Sequence, residues 1–149
     1  MVENEVGSRM IYEPVKTTDE EGTIEYRLNG VLHREDGPAW ELLDGEKQYF
    51  QNGVLHRVDG PAWESPNGNR EYRVNGKYHR EDGPAQEFAN GNKYWFRNGK
   101  KHREDGPAVE RPDGKDLWYL NDKLVQMEDV IQDVKARFLW RMKLEVPND

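Results

Sequence analysis

The chain has 149 residues, no cysteine, equal 34% shares of hydrophobic and charged residues, a net charge of −7 and a mean hydropathy of −1.12. These totals exclude disulfides and thiolate metal sites. They also argue against a thick apolar core and against general affinity for phosphate backbones, which clustered Lys and Arg drive.

No stretch reaches the length of a membrane span, and the acidic start Met1-Val2-Glu3-Asn4-Glu5-Val6-Gly7 lacks the apolar run of a signal peptide. A cytoplasmic protein without membrane contact is therefore expected. Residues 1–9 read as a flexible leader. A degenerate half repeat follows over 10–28, with Pro14-Val15-Lys16-Thr17-Thr18, a turn around Asp19 to Gly22, and Thr23-Ile24-Glu25-Tyr26.

From there His33-Arg34-Glu35-Asp36-Gly37-Pro38-Ala39 recurs around His56, His79 and His102, each 23 residues after the last, and these motifs contain every histidine of the chain. An unbroken period marks a repeat protein, and the unit must be read before any residue in it. Each unit carries two turn signals. The first is Asn29-Gly30, Asn52-Gly53, Asn75-Gly76 and Asn98-Gly99, the preferred pair for a type I′ hairpin. The second is Asp44-Gly45, Asn67-Gly68, Asn90-Gly91 and Asp113-Gly114. Turns this frequent leave room for short strands and none for helices.

Three residues before each Asn stands Tyr26, Tyr49, Tyr72, Trp95 and, before Asn121, Trp118. Strand side chains alternate faces, so this aromatic column is the expected packing seam, shared with Leu28, Gln51, Val74, Arg97 and Leu120. Arg27, Phe50, Arg73, Phe96 and Tyr119 then point the other way, toward a partly covered face suited to binding. After each Pro come Ala-Trp-Glu (Trp40, Trp63), Ala-Gln86-Glu and Ala-Val109-Glu. The constant Ala implies close approach by a neighbour, and the constant Glu implies a cross-strand partner, the Arg or His of its own or an adjacent unit.

The repeat body is expected to end at 121, followed over 122–149 by a helix from roughly Leu124 to Lys143 and a tail. Met127, Val130, Ile131, Val134, Phe138 and Met142 give that helix one apolar stripe. Glu128 and Asp129 near its start and Arg137, Arg141 and Lys143 near its end suit the helix dipole. It reads as an end cap, with Leu139 and Trp140 off the stripe and available to a partner or to a homodimer. The fold class is mainly β: consecutive antiparallel hairpins in a single twisted sheet with a C-terminal α-helix.

From Thr23 to Asn121 these motifs resemble the MORN-like repeats, a 23-residue β-hairpin unit with an aromatic, an Asn-Gly turn, a following His and a Gly-rich bend. Arg instead of Gly follows each His, and no Gly stands beside the strand aromatics. The chain is closer to the variant Trp/Tyr-x-x-Asn-Gly-x-x-His-Arg-x-Asp-Gly-Pro-Ala of bacteriophage and large-virus proteins, which often end in a Leu-Asn-x-Lys and a short helix, similar to Leu120-Asn121-Asp122-Lys123 here. That resemblance implies a hairpin-repeat scaffold and a viral accessory protein that binds and inhibits a host protein, a defence component among the candidates.

The motif string His-Arg-x-Asp has the residue types of acid–base catalysis. Four equivalent copies point instead to a repeated structural need, with Asp36, Asp59, Asp82 and Asp105 accepting turn N–H groups and His33, His56, His79 and His102, with their Arg neighbours, bridging to the Asp or Glu41-type carboxylates of neighbouring units. Successive histidines on alternate strands stand about 10 Å apart, too far to share a zinc. No enzyme, metal or cofactor is expected. The candidate partner-binding residues are Trp40, Trp63, Phe50, Phe96, Arg27, Arg73, Leu139 and Trp140, and the expected partner is a protein. Two other readings are sequestration of a small anion such as a nucleotide between Arg and aromatic side chains, and mimicry of nucleic acid by the acidic columns. Direct nucleic-acid binding is disfavoured by the acidic total.

Overall fold

The computed structural model of the protein describes residues 12–132. Its architecture follows from two kinds of turn. At Asn29-Gly30, Asn52-Gly53, Asn75-Gly76 and Asn98-Gly99 both residues have positive φ, 49–51° for Asn and 77–85° for Gly. This is the backbone twist that closes a two-residue hairpin, and Asn and Gly adopt it with least strain. The second signal works differently. Gly45 N–H donates to Leu42 O, Leu42 N–H donates to Glu46 O, and the Asp44 carboxylate accepts from Glu46 N–H. Only the Gly, at φ 95°, is left-handed there.

Hairpins of the second kind join into a continuous antiparallel sheet. Its strands follow one another as Val15–Thr18, Ile24–Leu28, Trp40–Glu41, Lys47–Gln48, Trp63–Glu64, Arg70–Glu71, Gln86–Glu87, Lys93–Tyr94 and Val109–Glu110, with Leu117 bridging back to Val109. The Asn-Gly hairpins form a parallel series of small ribbons beside it. Val31–Leu32 pairs with the end of Ile24–Leu28, Phe50–Gln51 with Val54–Leu55, Arg73–Val74 with Lys77–Tyr78, and Phe96–Arg97 with Lys100–Lys101. Tyr49, Tyr72 and Trp95 stand at the break between sheet strand and ribbon strand. The chain is thus mainly β, built from consecutive antiparallel hairpins in a twisted open sheet.

The register fixes what each sheet face carries, because directly paired residues share a face. One row runs Ile24, Glu41, Lys47, Glu64, Arg70, Glu87, Lys93, Glu110, so beyond Ile24 every residue opposes one of the other charge. The adjoining row, on the other face, runs Glu25, Trp40, Gln48, Trp63, Glu71, Gln86, Tyr94, Val109. Ala39, Ala62, Ala85 and Ala108 are 0% exposed. Each accepts at its carbonyl from the aromatic of its own unit, Tyr26, Tyr49, Tyr72 and Trp95, while Ala39, Ala62 and Ala85 also donate to the next unit's strand at Gln48, Glu71 and Tyr94. Only a methyl fits between two such backbones. Among the described residues the buried hydrophobics besides these alanines are Val109, Trp118 and Ile131, so the body they form is thin.

The expected helix from Leu124 is corrected at its start. Leu124 lies in the strand Lys123–Val125, paired with Trp118–Leu120 in a fifth ribbon. Asp122 takes φ 66° where the other units have Gly, so the turn survives the loss of that Gly. Helix begins only at Met127 and runs to Val130, with Asp129 accepting from Gln126 N–H, and Ile131 is already extended. The rest of the expected helix, with Leu139, Trp140 and the homodimer surface assigned to them, lies outside the described residues. Among the described residues no helix is long and apolar enough to cross a membrane.

Candidate functional site

The repeated motif is a clamp around its arginine. The Arg34, Arg57 and Arg80 guanidiniums lie 3.9–4.0 Å from the ring centres of Tyr26, Tyr49 and Tyr72, and that of Arg103 lies 4.0 Å from Trp95. A cation over an aromatic face is held by the ring quadrupole, and a planar guanidinium also stacks. Its edge is held too: Nε donates to Asp36, Asp59, Asp82 and Asp105 at 2.7–3.0 Å, and Nη1 to the carbonyls of Pro38, Pro61, Pro84 and Pro107. A Cβ on Gly37, Gly60 or Gly83 would meet Arg Cζ at 2.8–2.9 Å, so the motif glycine is needed for space beside the guanidinium.

Asp36, Asp59 and Asp82 each have one backbone N–H partner, their own, but the main partner of these carboxylates and of Asp105 is the Arg two residues earlier. Hydrogen bonding and charge from that Arg hold the Asp36, Asp59 and Asp82 carboxyls below the ordinary value of 3.8. The Arg also reaches the constant Glu seven residues on, Arg80 to Glu87 at 3.1 Å and Arg103 to Glu110 at 2.6 Å, with Arg57 and Glu64 4.0 Å apart.

The expected bridges to carboxylates of neighbouring units are corrected: the carboxylates that His79, His102 and the motif arginines meet lie in their own unit, and the histidines bind the next unit through its backbone. Nδ1 of His33, His56, His79 and His102 accepts the backbone N–H of Asn52, Asn75, Asn98 and Asn121 at 2.9–3.2 Å. An Nδ1 acceptor carries its proton on Nε2, which meets Glu81 at 3.0 Å from His79 and Glu104 at 3.1 Å from His102. Val58 stands where His56 would find that Glu, and it is 80% exposed. Two further bonds accompany each His: Arg34 N–H to Phe50 O and Gly53 N–H to Leu32 O, repeated along the chain.

Three clefts separate successive motif loops. The middle one, about 790 Å³, has Val58 and Val74 in its lining, and the last, about 480 Å³, has Arg97 between Glu81 and Glu104 at 3.6 and 3.5 Å. Their acids and bases are held against one another as structural pairs. Among the described residues no group of three or more His, Asp or Glu is placed to hold a metal.

The other face of the long sheet carries Arg27, Trp40 and Trp63, and Phe50, Arg73 and Phe96 stand in the ribbons beside it. Trp40 and Trp63 lie in its row on either side of Gln48, and Arg27, Phe50, Arg73 and Phe96 follow two positions after that row's Glu25, Gln48, Glu71 and Tyr94. All six are half-buried. Their polar atoms are organised: Arg27 donates to Glu25 at 2.8 Å, Arg73 to Glu71 at 2.9–3.0 Å, and Trp63 Nε1 to Glu46 at 2.8 Å. Around Arg73 a cluster forms that the sequence reading missed. Tyr78 lies under the Arg73 guanidinium at 3.7 Å, donates its hydroxyl to Glu71, and sits 5.0 Å from the Phe96 ring, while Gln86 donates to the same Glu71 carboxylate. Burial and that carboxylate raise the Tyr78 phenol above its ordinary value. The available signal was the departure of Tyr78 from Leu32, Leu55 and Lys101 at its equivalents.

No protein-family model matches this chain, and no curated protein matches it.

Proposed function

We propose that the chain is a non-enzymatic protein-binding module that meets its partner on the face carrying Trp40, Trp63, Phe50, Phe96, Arg27 and Arg73. The observation that supports this reading is that Trp40 and Trp63 share one row of the sheet, and that Arg73, from the ribbon beside it, bonds Glu71 of that row, in units that differ at those positions. The described helix packs elsewhere, on the strand Trp118–Leu120. Half-buried Trp and Arg on an otherwise regular scaffold have the composition of interface anchors. The resemblance to viral accessory repeats supplies the partner class, a host protein, which the chain would block by occupying its surface.

Arg27 and Arg73, which an anion-sequestering site would need, already bind Glu25 and Glu71, and this weighs for a protein partner over a nucleotide. The test is capture from host lysate with tagged wild type beside a Trp40→Ala, Trp63→Ala variant of unchanged melting temperature. A protein recovered by the wild type and lost with the variant supports the reading. Equal recovery by both, or none above background, overturns it.

A further inference from the structure

The chain has six Asn-Gly pairs, at Asn29, Asn52, Asn67, Asn75, Asn90 and Asn98. In this dipeptide the Gly backbone nitrogen can attack the Asn side-chain carbonyl carbon, and the unbranched Gly leaves that approach open. The attack requires the Gly N–H to give up its proton and leave any acceptor it serves. Five of the six are engaged: Gly53, Gly76 and Gly99 donate to Leu32, Leu55 and Tyr78 carbonyls of the preceding unit at 2.8–2.9 Å, and Gly68 and Gly91 donate to Ser65 and Phe88 within their own loops. Asn52, Asn75 and Asn98 are further fixed through their own N–H on the histidines of the preceding unit. Asn67 and Asn90 have their side-chain oxygens taken by Asn69 and Asn92 N–H.

The first turn lacks all of this. Its φ values, 49° and 85°, match those of its equivalents, yet among the described residues neither Asn29 N–H nor Gly30 N–H has an acceptor, and the histidine's place, 19 residues before the Asn, is held in sequence by Met10. We propose that Asn29 is a selective site of spontaneous deamidation and isoaspartate formation. Gly30 N bonds to Asn29 Cγ as ammonia leaves, closing a succinimide. Water then opens the ring at either carbonyl, so one water enters and one ammonia departs, giving Asp or isoaspartate. The isoaspartyl product carries its main chain through the side-chain methylene and adds a carboxylate, which disrupts the type I′ pair and displaces the Gly30 carbonyl that Arg27 Nη1 binds at 3.1 Å.

The chain contains its own controls, since four Asn-Gly turns share one geometry and differ in their hydrogen bonds. The native protein is held in mildly alkaline buffer, and peptide mapping by mass follows all six sites over time. Asn29 is expected to convert about tenfold faster than Asn52, Asn75 and Asn98, the factor from releasing one to two net hydrogen bonds. In urea high enough to unfold the chain the rates should converge. Conversion at Asn29 no faster than at those three in the native protein, or the same order persisting in urea, overturns the proposal.

Discussion

Arg80 stacks on Tyr72, donates to Asp82, Pro84 and Glu87, and occupies the space over Gly83 where a side chain would otherwise go. Lysine cannot reproduce a planar fork with several donors, so Arg80→Lys is expected to lose about 1–3 kcal/mol in urea unfolding. Gly83→Ala should cost a similar amount by overpacking, since the new Cβ falls 2.9 Å from Arg80 Cζ. In an Arg80→Ala background the same Gly83→Ala change should be close to neutral, and the double-mutant cycle reads that coupling directly. Gly76 makes a contrast. Its Cβ would meet only Val54 at 3.8 Å, but φ is 77°, so Gly76→Ala should cost about 1–2 kcal/mol whatever stands at position 54. The His33 side chain is 11% exposed and that of His79 18%, so His33→Ala should destabilise more than His79→Ala, whose bond to Asn98 N–H is exposed and open to replacement by water.

At the scale of elements, the hairpins were legible because turn chemistry is local. Asn-Gly needs two left-handed residues and offers them wherever it occurs, and its recurrence left only short antiparallel strands between. What lay beyond reading was chemistry set by three-dimensional neighbours. Asp36 looked like a turn acceptor because Asp before Gly-Pro usually is one, but the Arg34 guanidinium folds back onto Tyr26 and takes the carboxylate first. Asp122 breaks the Asn-Gly spelling and so hides the fifth hairpin from sequence, while the backbone keeps its geometry and its bond from Asp122 N–H to Lys101 O. The two sheet faces were readable by alternation from the aromatics. The Glu71, Arg73, Tyr78 and Phe96 cluster was not, since its members come from four separate strands in two repeats. The buried alanines belong to this scale too: Ala85→Leu wedges a side chain between the strands bearing Tyr72 and Tyr94 and should cost about 1–3 kcal/mol.

Across the whole molecule each unit bonds mainly to its neighbours, so stability should add along one dimension. Amide exchange after Ala62→Leu is expected to rise in the units on either side of Ala62 and to stay low near Ala108. Acid should act on the first three motifs together. Asp36, Asp59 and Asp82 have folded values below their ordinary 3.8, so their contribution is complete above that value and is lost as pH falls through the lowered one. Melting temperature should therefore decline in the most acidic part of a pH series, and an Asp59→Asn variant should decline less.

The same three hydrogen bonds join every unit to the next, from the His33-type imidazole, the Arg34-type N–H and the Gly53-type N–H. Joints that are alike are interchangeable, which makes the chain a splice system with a fixed reading frame. Excision of 54–76 brings Gly53 onto Lys77 and leaves matched joints on both sides, so a shorter protein should fold with a proportionally smaller urea m-value. Excision of 54–75 leaves one residue too many and turns every following side chain to the wrong face. Length is then a quantity this scaffold varies in whole steps, and the span over which it presents its Trp and Arg side chains changes with it by about 10 Å per unit.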